Sequence, residues 1–432
     1  MSLALRTLLQ TPLAAGTKGL PDDGAGVLLG DVHGKRWNLL QEHIPLPCAV
    51  IKQSALGHNL EWMRDFIREE DVLLAPHGKT TMAPQLFDRQ LAAGAWGITV
   101  ATIQQLKVCR RFGVQRILLA NQLVGAQDVR YLAQELSQDS AFEFYCIVDS
   151  VAGAERLQAL LQQTASDTVL RVLLEVGVNR GRSGCRTADG ALAVARCIAE
   201  QPRLELHGVE CYEGIIAGGG PREDERRVRE LLALVIAVYQ RCASLDLFSN
   251  PREVILSAGG SAYFDIVAPT LGRTGRTSVK TIIRSGCYLT HDAVFYERHF
   301  QNIRARTDKK SLKNGLRPAL EVWVYVQSVP EPGLAILTAG KRDISHDIDL
   351  PVVTKWFRPG QMEKPDKAGG EMEIFALNDQ HAYLNFTGET DLAVGDMVGL
   401  GISHPCTTFD KWQLLWLVDD DYTVTDGIRT FF

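Results

Sequence analysis

The sequence predicts an α/β protein, a TIM-type (β/α)8 barrel, with a second, all-β C-terminal domain. Eight short apolar runs lie between residues 72 and 284, and most of them alternate with stretches of helical periodicity. Such alternation is typical of parallel βα units, and eight strands close a barrel of this type. After residue 315 the helical periodicity gives way to short alternating runs separated by Pro, Gly and Asp, which indicate a β domain.

The barrel strands are predicted from short β-rich runs that end in turn residues. They comprise residues 72–75, 97–101, 116–120, 143–148, 169–176, 204–212, 254–257 and 281–284. Helical patterns between them include residues 83–93, 103–112, 126–136 and 222–242. A ninth run, at residues 48–51, is one too many for the barrel, so we assign it elsewhere.

The C-terminal part is predicted as a β domain at residues 294–432, after a barrel domain at residues 51–293. Its predicted strands are residues 319–327, 334–338, 373–376, 382–386, 397–401 and 414–418. Residues 301–315 are polar and basic and are predicted as a connector. Residues 358–370 are rich in Pro, Gly and Lys and are predicted as a mobile loop.

The composition is that of a soluble globular protein of two domains, with 432 residues, 46% of them hydrophobic and 22% charged. A formal net charge of −5 gives no reason to expect nucleic acid or a membrane surface as partner, and no apolar run is long enough to span a membrane. The nine cysteines form no C-x-x-C pair, and the N-terminus lacks a secretory pattern. We therefore expect a reduced, cytoplasmic chain.

Lys79 is the first candidate catalytic residue. The apolar run at residues 72–74 ends in Pro76-His77-Gly78, and the lysine follows at once. This is where a barrel strand delivers a side chain to the catalytic mouth. A lysine there can neutralise an anionic ligand or form a Schiff base once burial lowers its pKa, although most lysines are simply solvated.

Two glycine-containing turns end the last two predicted barrel strands. They are Ser257-Ala258-Gly259-Gly260-Ser261 and Ser285-Gly286-Cys287-Tyr288. Glycines let backbone N–H groups approach an anion, and TIM-type barrels commonly hold phosphate after strands seven and eight. A phosphorylated cofactor together with a lysine that forms a Schiff base indicates pyridoxal 5′-phosphate (PLP).

Several segments resemble the D-serine dehydratase and D-threonine aldolase-like family of fold type III PLP enzymes, which has an alanine-racemase-like barrel. Pro76-His77-Gly78-Lys79-Thr80 resembles its PLP-lysine motif, and the resemblance extends from about residue 45 to residue 412. It implies that the first strand joins the β domain, so residues 1–50 are assigned there.

The resemblance also implies roles for single residues. Glu175-Val176-Gly177 with Arg182-Ser183-Gly184 resembles the segment that places an arginine against the pyridine nitrogen, and Arg180 is the alternative to Arg182. Tyr212 lies in a segment similar to the family's Tyr-bearing strand and would contact the cofactor or the substrate; the alternative is an aromatic side chain packed in the barrel interior. Apart from the resemblance, His77 is a candidate to tune its neighbour Lys79, with a structural hydrogen bond as the alternative, and Tyr288 is a candidate contact of the phosphate.

His404-Pro405-Cys406 is the candidate metal site. On an extended segment, side chains at i and i+2 point the same way and can share one cation. The context from His404 to Trp412 resembles the metal-binding segment of D-serine dehydratases. Thiolate and imidazole favour Zn²⁺, and two protein ligands leave positions open for water and substrate. His346 with Asp347 and Asp349 also resembles a metal cluster, but Asp-rich turns are common and we predict no site there.

These features together predict a zinc- and PLP-dependent D-serine dehydratase, a lyase that eliminates water from a D-amino acid and yields pyruvate and ammonia. The alternative is a retro-aldol cleavage of D-threonine-like substrates, for which the resemblance implies an aspartate in place of Cys406. A racemase and a non-catalytic PLP-binding protein are less favoured alternatives. The resemblance also implies a homodimer.

Overall fold

The structure is a computed structural model that describes residues 3–272, 279–307, 309, 312, 314–368, 372–387 and 392–432. The chain forms two compact units. The first, which we call the barrel unit, contains Arg64–Lys79 and Gln90–Gly286, and the second, the β unit, contains Ser2–Met63, Thr80–Arg89 and Cys287–Phe432. The units interleave along the chain, and the successive domain limits predicted from the sequence stay a prediction.

The strands and helices are numbered in chain order. The strands are β1 (Cys48–Lys52), β2 (Leu73–Leu74), β3 (Ile98–Val100), β4 (Arg116–Gln122), β5 (Glu143–Val148), β6 (Leu170–Val176), β7 (Leu204–Cys211), β8 (Val254–Ala258), β9 (Val279–Ile283), β10 (Leu320–Glu331), β11 (Leu334–Leu337), β12 (Val352–Phe357), β13 (Asp366–Lys367), β14 (Met372–Leu377), β15 (Ala382–Phe386), β16 (Met397–Gly401), β17 (Leu414–Val418) and β18 (Val424–Arg429). The helices are α1 (Arg6–Leu9), α2 (Gln53–Glu69), α3 (Pro84–Ala92), α4 (Ile103–Arg111), α5 (Ala126–Gln138), α6 (Val151–Gln162), α7 (Ala188–Glu200), α8 (Pro221–Ser244), α9 (Phe264–Gly272), α10 (Phe295–Arg306) and α11 (Cys406–Phe409).

The barrel unit is built on an eight-stranded parallel sheet with the order β2-β9-β8-β7-β6-β5-β4-β3. Backbone hydrogen bonds from Trp96 to Leu74 at 2.7 Å and from Thr99 to Pro76 at 2.9 Å join the segments around the two edge strands. The curled sheet therefore closes on itself. The eight predicted barrel strands and the predicted fold class are confirmed.

Side chains from six of the strands or their ends fill the interior of this sheet, as they do in TIM-type barrels. This buried cluster consists of Ala75, Leu118, Tyr145, Ile147, Leu173, Ile255 and Ile282. Because the side chains of a strand alternate between its two faces, Tyr145 and Ile147 of β5 both contribute to the cluster. The packed interior fixes the strand ends that carry the polar residues described below.

Three helices of the barrel unit begin at a hydroxyl side chain that caps them. Thr102, Ser150 and Thr187 accept hydrogen bonds from the backbone N–H groups at N3 of α4, α6 and α7. Such caps satisfy donors that have no partner within the helix, and each stabilises the helix by about 1 kcal/mol. The four helices predicted from periodicity correspond to α3, α4, α5 and α8.

The β unit contains a mostly antiparallel sheet with the main path β13-β12-β16-β10-β1-β17-β18. β1 pairs antiparallel with β10 and parallel with β17, so the run at residues 48–51 lies outside the barrel, as predicted. All six strands predicted for this part of the chain are present. β12, β13 and β18 were not predicted from the sequence.

Two segments of the β unit differ from the prediction. Residues 301–315 were predicted as a connector, but α10 continues to Arg306, because Phe300 and Ile303 bury one face of that helix. Within the predicted loop at residues 358–370, β13 pairs with β12. Residues 308, 310, 311, 313, 369 and 370 lie outside the described residues.

No helix in the described parts of the chain is both long enough and apolar enough to cross a bilayer.

Candidate active site

Lys79 lies at the end of a barrel strand, as the sequence predicts. It follows β2 in a 3-10 turn formed by Gly78–Thr80, and its side chain is half-buried. The N–H of His77 donates to the carbonyl of Arg284 at 3.2 Å, which ties the approach to this turn to the end of β9. The amine is therefore held at the carboxyl end of the parallel sheet, where TIM-type barrels place catalytic groups.

The imidazole of His77 is kept neutral by its surroundings. Burial lowers the pKa of His77 well below its ordinary value, and three nearby cations lower it further. These cations are Lys79, Arg284 and Arg182. The Nδ1 atom of His77 is buried and has no hydrogen-bond partner among the residues that the structure describes. A bound ligand could use this nitrogen, and the predicted role of His77 at the cofactor stays a prediction.

Of the two arginines considered for the pyridine nitrogen, Arg182 has contacts with other candidate residues. Its guanidinium lies 4.9 Å from the ring centroid of Tyr212, and its charge acts on His77 and Glu210. Arg180 is exposed and adopts φ = 58° in the loop after β6. These contacts favour Arg182 over Arg180, although both side chains are exposed to solvent and the role at the nitrogen stays a prediction.

Arg284 is a buried arginine that the sequence analysis missed. Its Nη2 lies 2.8 Å from the carboxylate of Glu210 and donates to the carbonyl of Cys211 at 2.8 Å. Its Nη1 donates to the hydroxyl of Ser257 at 2.6 Å. Arg284 follows β9 directly, so a charged residue at the end of an apolar strand was the signal that could have identified it.

Glu210 is the partner of Arg284 and is equally buried. Burial raises the pKa of Glu210 to about 7, although the charges of Arg284 and Arg182 counteract this effect. Its Oε1 has no hydrogen-bond partner within the described part of the chain. A glutamate in the apolar strand β7 was the available sequence signal for this residue.

The predicted phosphate loop after β8 already binds a carboxylate. The N–H groups of Gly259 and Gly260 donate to the two oxygens of Glu213 at 3.0 and 2.6 Å. Gly259 has φ = +87°, which favours glycine. The side chain of Glu213 is completely buried, and burial raises its pKa. These two N–H groups can bind an anion, and their predicted phosphate role stays a prediction.

The second predicted phosphate loop continues into a buried turn. Cys287–Leu289 form a 3-10 turn directly after Gly286, and the side chains of Cys287 and Tyr288 are buried. The sulfur of Cys287 lies 3.7 Å from the sulfur of Cys406. The sequence assigned Cys287 to the cofactor, and the structure shows in addition that it contacts one of the two predicted metal ligands.

His404 and Cys406 are in contact, as required of residues that share a cation. The segment is not extended, however, because Pro405 has helical dihedral angles and α11 begins at Cys406. The expectation of two side chains on one face of an extended segment is therefore wrong in its geometry. Contact between the imidazole and the thiol is achieved in the turn that precedes α11.

Asp347 orients the imidazole of His404. Its carboxylate lies 2.7 Å from Nδ1 of His404 and accepts the hydroxyl hydrogen of Thr407 at 2.6 Å. Metal-binding histidines commonly donate their other nitrogen to a carboxylate in this way. Asp347 lies in an Asp-rich turn where no site is predicted from the sequence, because such turns are common. Its contact with His404 spans 57 residues of sequence.

The charges around Cys406 favour a thiolate. A hydrogen bond from Cys287 lowers the pKa of Cys406 well below its ordinary value, and contacts with His404 and Thr80 act in the same direction. Burial lowers the pKa of His404, but Cys406 and Asp347 outweigh burial and raise it to about 9. The thiolate is the form of cysteine that binds metals.

The residues present fit both groups that the sequence predicts. In the barrel unit, His77 Nδ1 and Glu210 Oε1 are buried atoms still available to a ligand such as PLP. In the β unit, a thiol and a carboxylate-bound imidazole are in contact, which is the donor chemistry that Zn²⁺ prefers. The described residues include no group of three His, Cys, Asp or Glu side chains already arranged around a metal position.

Comparisons with known proteins agree with this fold. Residues 51–263 match the family model "Alanine racemase, N-terminal domain", and residues 319–418 match the model "Putative serine dehydratase domain". D-threonine aldolase from Filomicrobium marinum has a crystal structure that superposes with a TM-score of 0.72 at 21% identity. The superposition covers 90% of this chain and 95% of that chain.

Two sequence relatives span most of the chain. D-threo-3-hydroxyaspartate dehydratase from Delftia sp. (strain HT23) is 30% identical over 392 residues, which cover 85% of this chain and 93% of the relative. D-threonine aldolase from Arthrobacter sp. is 25% identical over 379 residues, which cover 87% of this chain and 90% of the relative.

An alanine-racemase-like barrel with a lysine at a strand end and an appended β unit defines the class of fold type III PLP enzymes. Within that class, the chain belongs to the D-serine dehydratase and D-threonine aldolase-like family, whose members are PLP-dependent lyases of D-amino acids.

Proposed function

We propose that the chain is a zinc- and PLP-dependent dehydratase that eliminates water from D-serine and related 3-hydroxy-D-amino acids. The observation that carries the proposal is the contact of the Cys406 thiol with the imidazole of His404. The relative from Delftia, which is 30% identical, is a D-threo-3-hydroxyaspartate dehydratase. A solved structure of a D-threo-3-hydroxyaspartate dehydratase is a cysteine-to-alanine variant in a metal-free form.

The residues of the barrel unit would bind the cofactor and move the α-proton. PLP, when bound, supplies an electron sink for the carbanion at the substrate α-carbon. Lys79 would hold it covalently and, as the free amine, remove the proton from Cα. Arg182, placed at the pyridine nitrogen, cannot give up its proton and so would leave that nitrogen unprotonated. The neutral imidazole of His77 would keep the surroundings of Lys79 free of one further positive charge.

The residues of the β unit would act on the β-hydroxyl. His404 and Cys406 would hold Zn²⁺, which supplies a Lewis acid for a hydroxide leaving group. Asp347 would accept a hydrogen bond from the Nδ1–H of His404, so that the other ring nitrogen is left to bind the metal. Loss of the α-proton and the β-hydroxyl amounts to one water, and the resulting enamine of D-serine hydrolyses to pyruvate and ammonia.

Retro-aldol cleavage is the second candidate, because the Arthrobacter relative at 25% identity is a D-threonine aldolase. In that reaction a base would remove the proton of the β-hydroxyl, and the Cα–Cβ bond would break to give glycine and an aldehyde. Cys406 supports the dehydratase instead, because the resemblance implies an aspartate at this position in the aldolases.

A product assay with zinc- and PLP-loaded protein tests the proposal. We expect pyruvate and ammonia in equal amounts from D-serine, and borohydride reduction should label Lys79. Cys406→Ala should abolish pyruvate formation while the borohydride label on Lys79 is retained. Cys48→Ala, at a buried cysteine in β1, is the control and should leave turnover unchanged. Glycine as the product from D-threonine, with no pyruvate from D-serine, would establish the aldolase instead.

The assembly of the chain is a further part of the proposal. The family resemblance supports a homodimer with a D-amino acid as the small-molecule substrate. Sedimentation of the PLP-loaded protein should give the mass of two chains, and a monomer that turns over D-serine at the full rate would contradict this.

A further inference from the structure

We infer that Cys287 is a third protein ligand of the zinc ion proposed at His404 and Cys406, so that the site contains two sulfurs and one nitrogen. The inference rests on the proposed function, since it concerns the same metal. Nothing in the sequence pattern pointed to it, because Cys287 and Cys406 are 119 residues apart.

The distance between the two sulfurs is the first observation. Sγ of Cys287 and Sγ of Cys406 lie 3.7 Å apart. Two thiolates at about 2.3 Å from one tetrahedral zinc ion lie about 3.8 Å from each other. A disulfide would require about 2.05 Å, and neither cysteine forms one. The sulfurs therefore already have the spacing of two ligands of one ion.

The hydroxyl of Thr80 is the second observation. Its Oγ1 lies 3.5 Å from Sγ of Cys406 and 3.8 Å from Sγ of Cys287. All three side chains belong to the β unit, and they come from two of its stretches, Thr80–Arg89 and Cys287–Phe432. A hydroxyl that contacts both sulfurs can donate to a thiolate and hold its orientation, as the partners of metal ligands commonly do.

The imidazole of His404 would complete the set. Its Nδ1 contacts Asp347 at 2.7 Å, so the remaining ring nitrogen is the one for the metal. The described residues contain no group of three such donors already closed around one point. Metal binding would therefore require at least one of these three side chains to turn, so that all three donor atoms face one point.

The third ligand changes what the site can do. Three protein ligands leave one position of a tetrahedral ion for water or the substrate hydroxyl, which is the usual arrangement of catalytic zinc. Cys287 also follows Gly286 directly, and Thr80 follows Lys79 directly. Cys287 and Thr80, which both contact Cys406, are thus each adjacent in sequence to a residue that is predicted to bind PLP.

Zinc K-edge X-ray absorption of the zinc-loaded full-length protein tests the inference. We expect two sulfur scatterers at about 2.3 Å in the wild type and one in Cys287→Ser. Cys48→Ala, a buried cysteine of the same unit, should retain two. Competition with a chelator should show that Cys287→Ser loses more zinc affinity than the roughly 10- to 100-fold that follows removal of an outer-shell partner.

The wild-type measurement keeps the test decisive even if Cys287→Ser folds poorly. A single sulfur in the wild-type spectrum would overturn the inference and leave the proposed site at His404 and Cys406 intact. Absence of stoichiometric zinc from the wild type would overturn the proposed function itself.

Discussion

The guanidinium of Arg284 lies 2.8 Å from the carboxylate of Glu210, and the two side chains are only 5% and 2% exposed. The two partners are not equivalent. Glu210 can escape burial of its charge by taking up a proton, and its pKa is already raised to about 7. Arg284 has no such escape, because a guanidinium stays charged in proteins.

Removing Glu210 should therefore be more harmful than removing Arg284. We expect Glu210→Gln to lower the free energy of unfolding by about 3–5 kcal/mol, since it leaves a buried charge without its counter-ion. Urea denaturation at pH 8 would measure this loss. In the double variant Glu210→Leu with Arg284→Met, the loss should be smaller than in Glu210→Gln, because no buried charge remains.

Arg284→Met should show a loss of stability that depends on pH. Without the arginine, the pKa of Glu210 rises further above its unfolded value, so the folded state holds a proton that the unfolded state has lost. Stability then falls as the pH rises from about 4.3 toward the folded pKa, and the deficit relative to wild type is smallest at low pH. A deficit that grows as the pH falls from 8 to 5 would contradict this account.

The buried carboxylate of Glu213 gives the next prediction. Glu213→Gln keeps one oxygen acceptor but turns an NH₂ group toward one of the N–H groups of Gly259 and Gly260. One buried donor then lacks a partner, and we expect a loss of about 1–3 kcal/mol in the free energy of unfolding. Glu155→Gln, on the exposed surface of α6, is the matched control and should change it by less than about 0.5 kcal/mol.

Asp347 should act on metal affinity if the zinc proposal is correct. Asp347→Ala removes the acceptor of the Nδ1–H of His404, and we expect zinc affinity to fall by roughly 10- to 100-fold. Titration with a chelating indicator would measure it. Asp349→Ala, which instead removes an ion pair with Arg298, should bind zinc like the wild type. Equal losses in both variants would indicate a general effect of the loop rather than orientation of His404.

The elements of this fold could be predicted from the sequence where periodicity determines them. The strands from β2 to β9 are apolar because they are buried in a parallel sheet, and each ends in turn residues that mark its limit. Strand β12 could not be predicted from the sequence because Lys355 interrupts its apolar pattern. In the structure, this lysine is paired with Glu321 and donates to the hydroxyl of Tyr422 at 2.7 Å.

The site could be predicted only as far as local segments reveal it. Lys79 was recognisable from the strand before it, and His404 with Cys406 from their spacing and context. Arg284, Glu213 and Asp347 acquire their roles from partners distant in the chain, and a sequence without an alignment contains no record of those contacts. Their discovery required the structure.

Asp292 provides a pH-dependent prediction outside the metal ligands. Its side chain is fully buried, and it accepts hydrogen bonds from the N–H groups of Val294 and Tyr296 just before and within the first turn of α10. Burial raises the pKa of Asp292 to about 6, although the charge of His291 and these N–H groups counteract it. The folded state therefore holds a proton between about pH 4 and pH 6 that the unfolded state releases.

Because the folded state binds more protons in that interval, this group lowers stability as the pH rises from 4 to 6 and has no further effect above about pH 7. A shift of about two pKa units corresponds to about 3 kcal/mol. Asp292→Asn cannot ionise and keeps an oxygen acceptor for the two N–H groups. We therefore expect the free energy of unfolding of the variant, relative to that of the wild type, to increase from pH 4 to pH 6. Urea denaturation at unit pH intervals would show this. A difference between the two proteins that stays constant over this range would mean that burial does not raise the pKa of Asp292, because the carboxylate would then ionise at the same pH in the folded and unfolded chains.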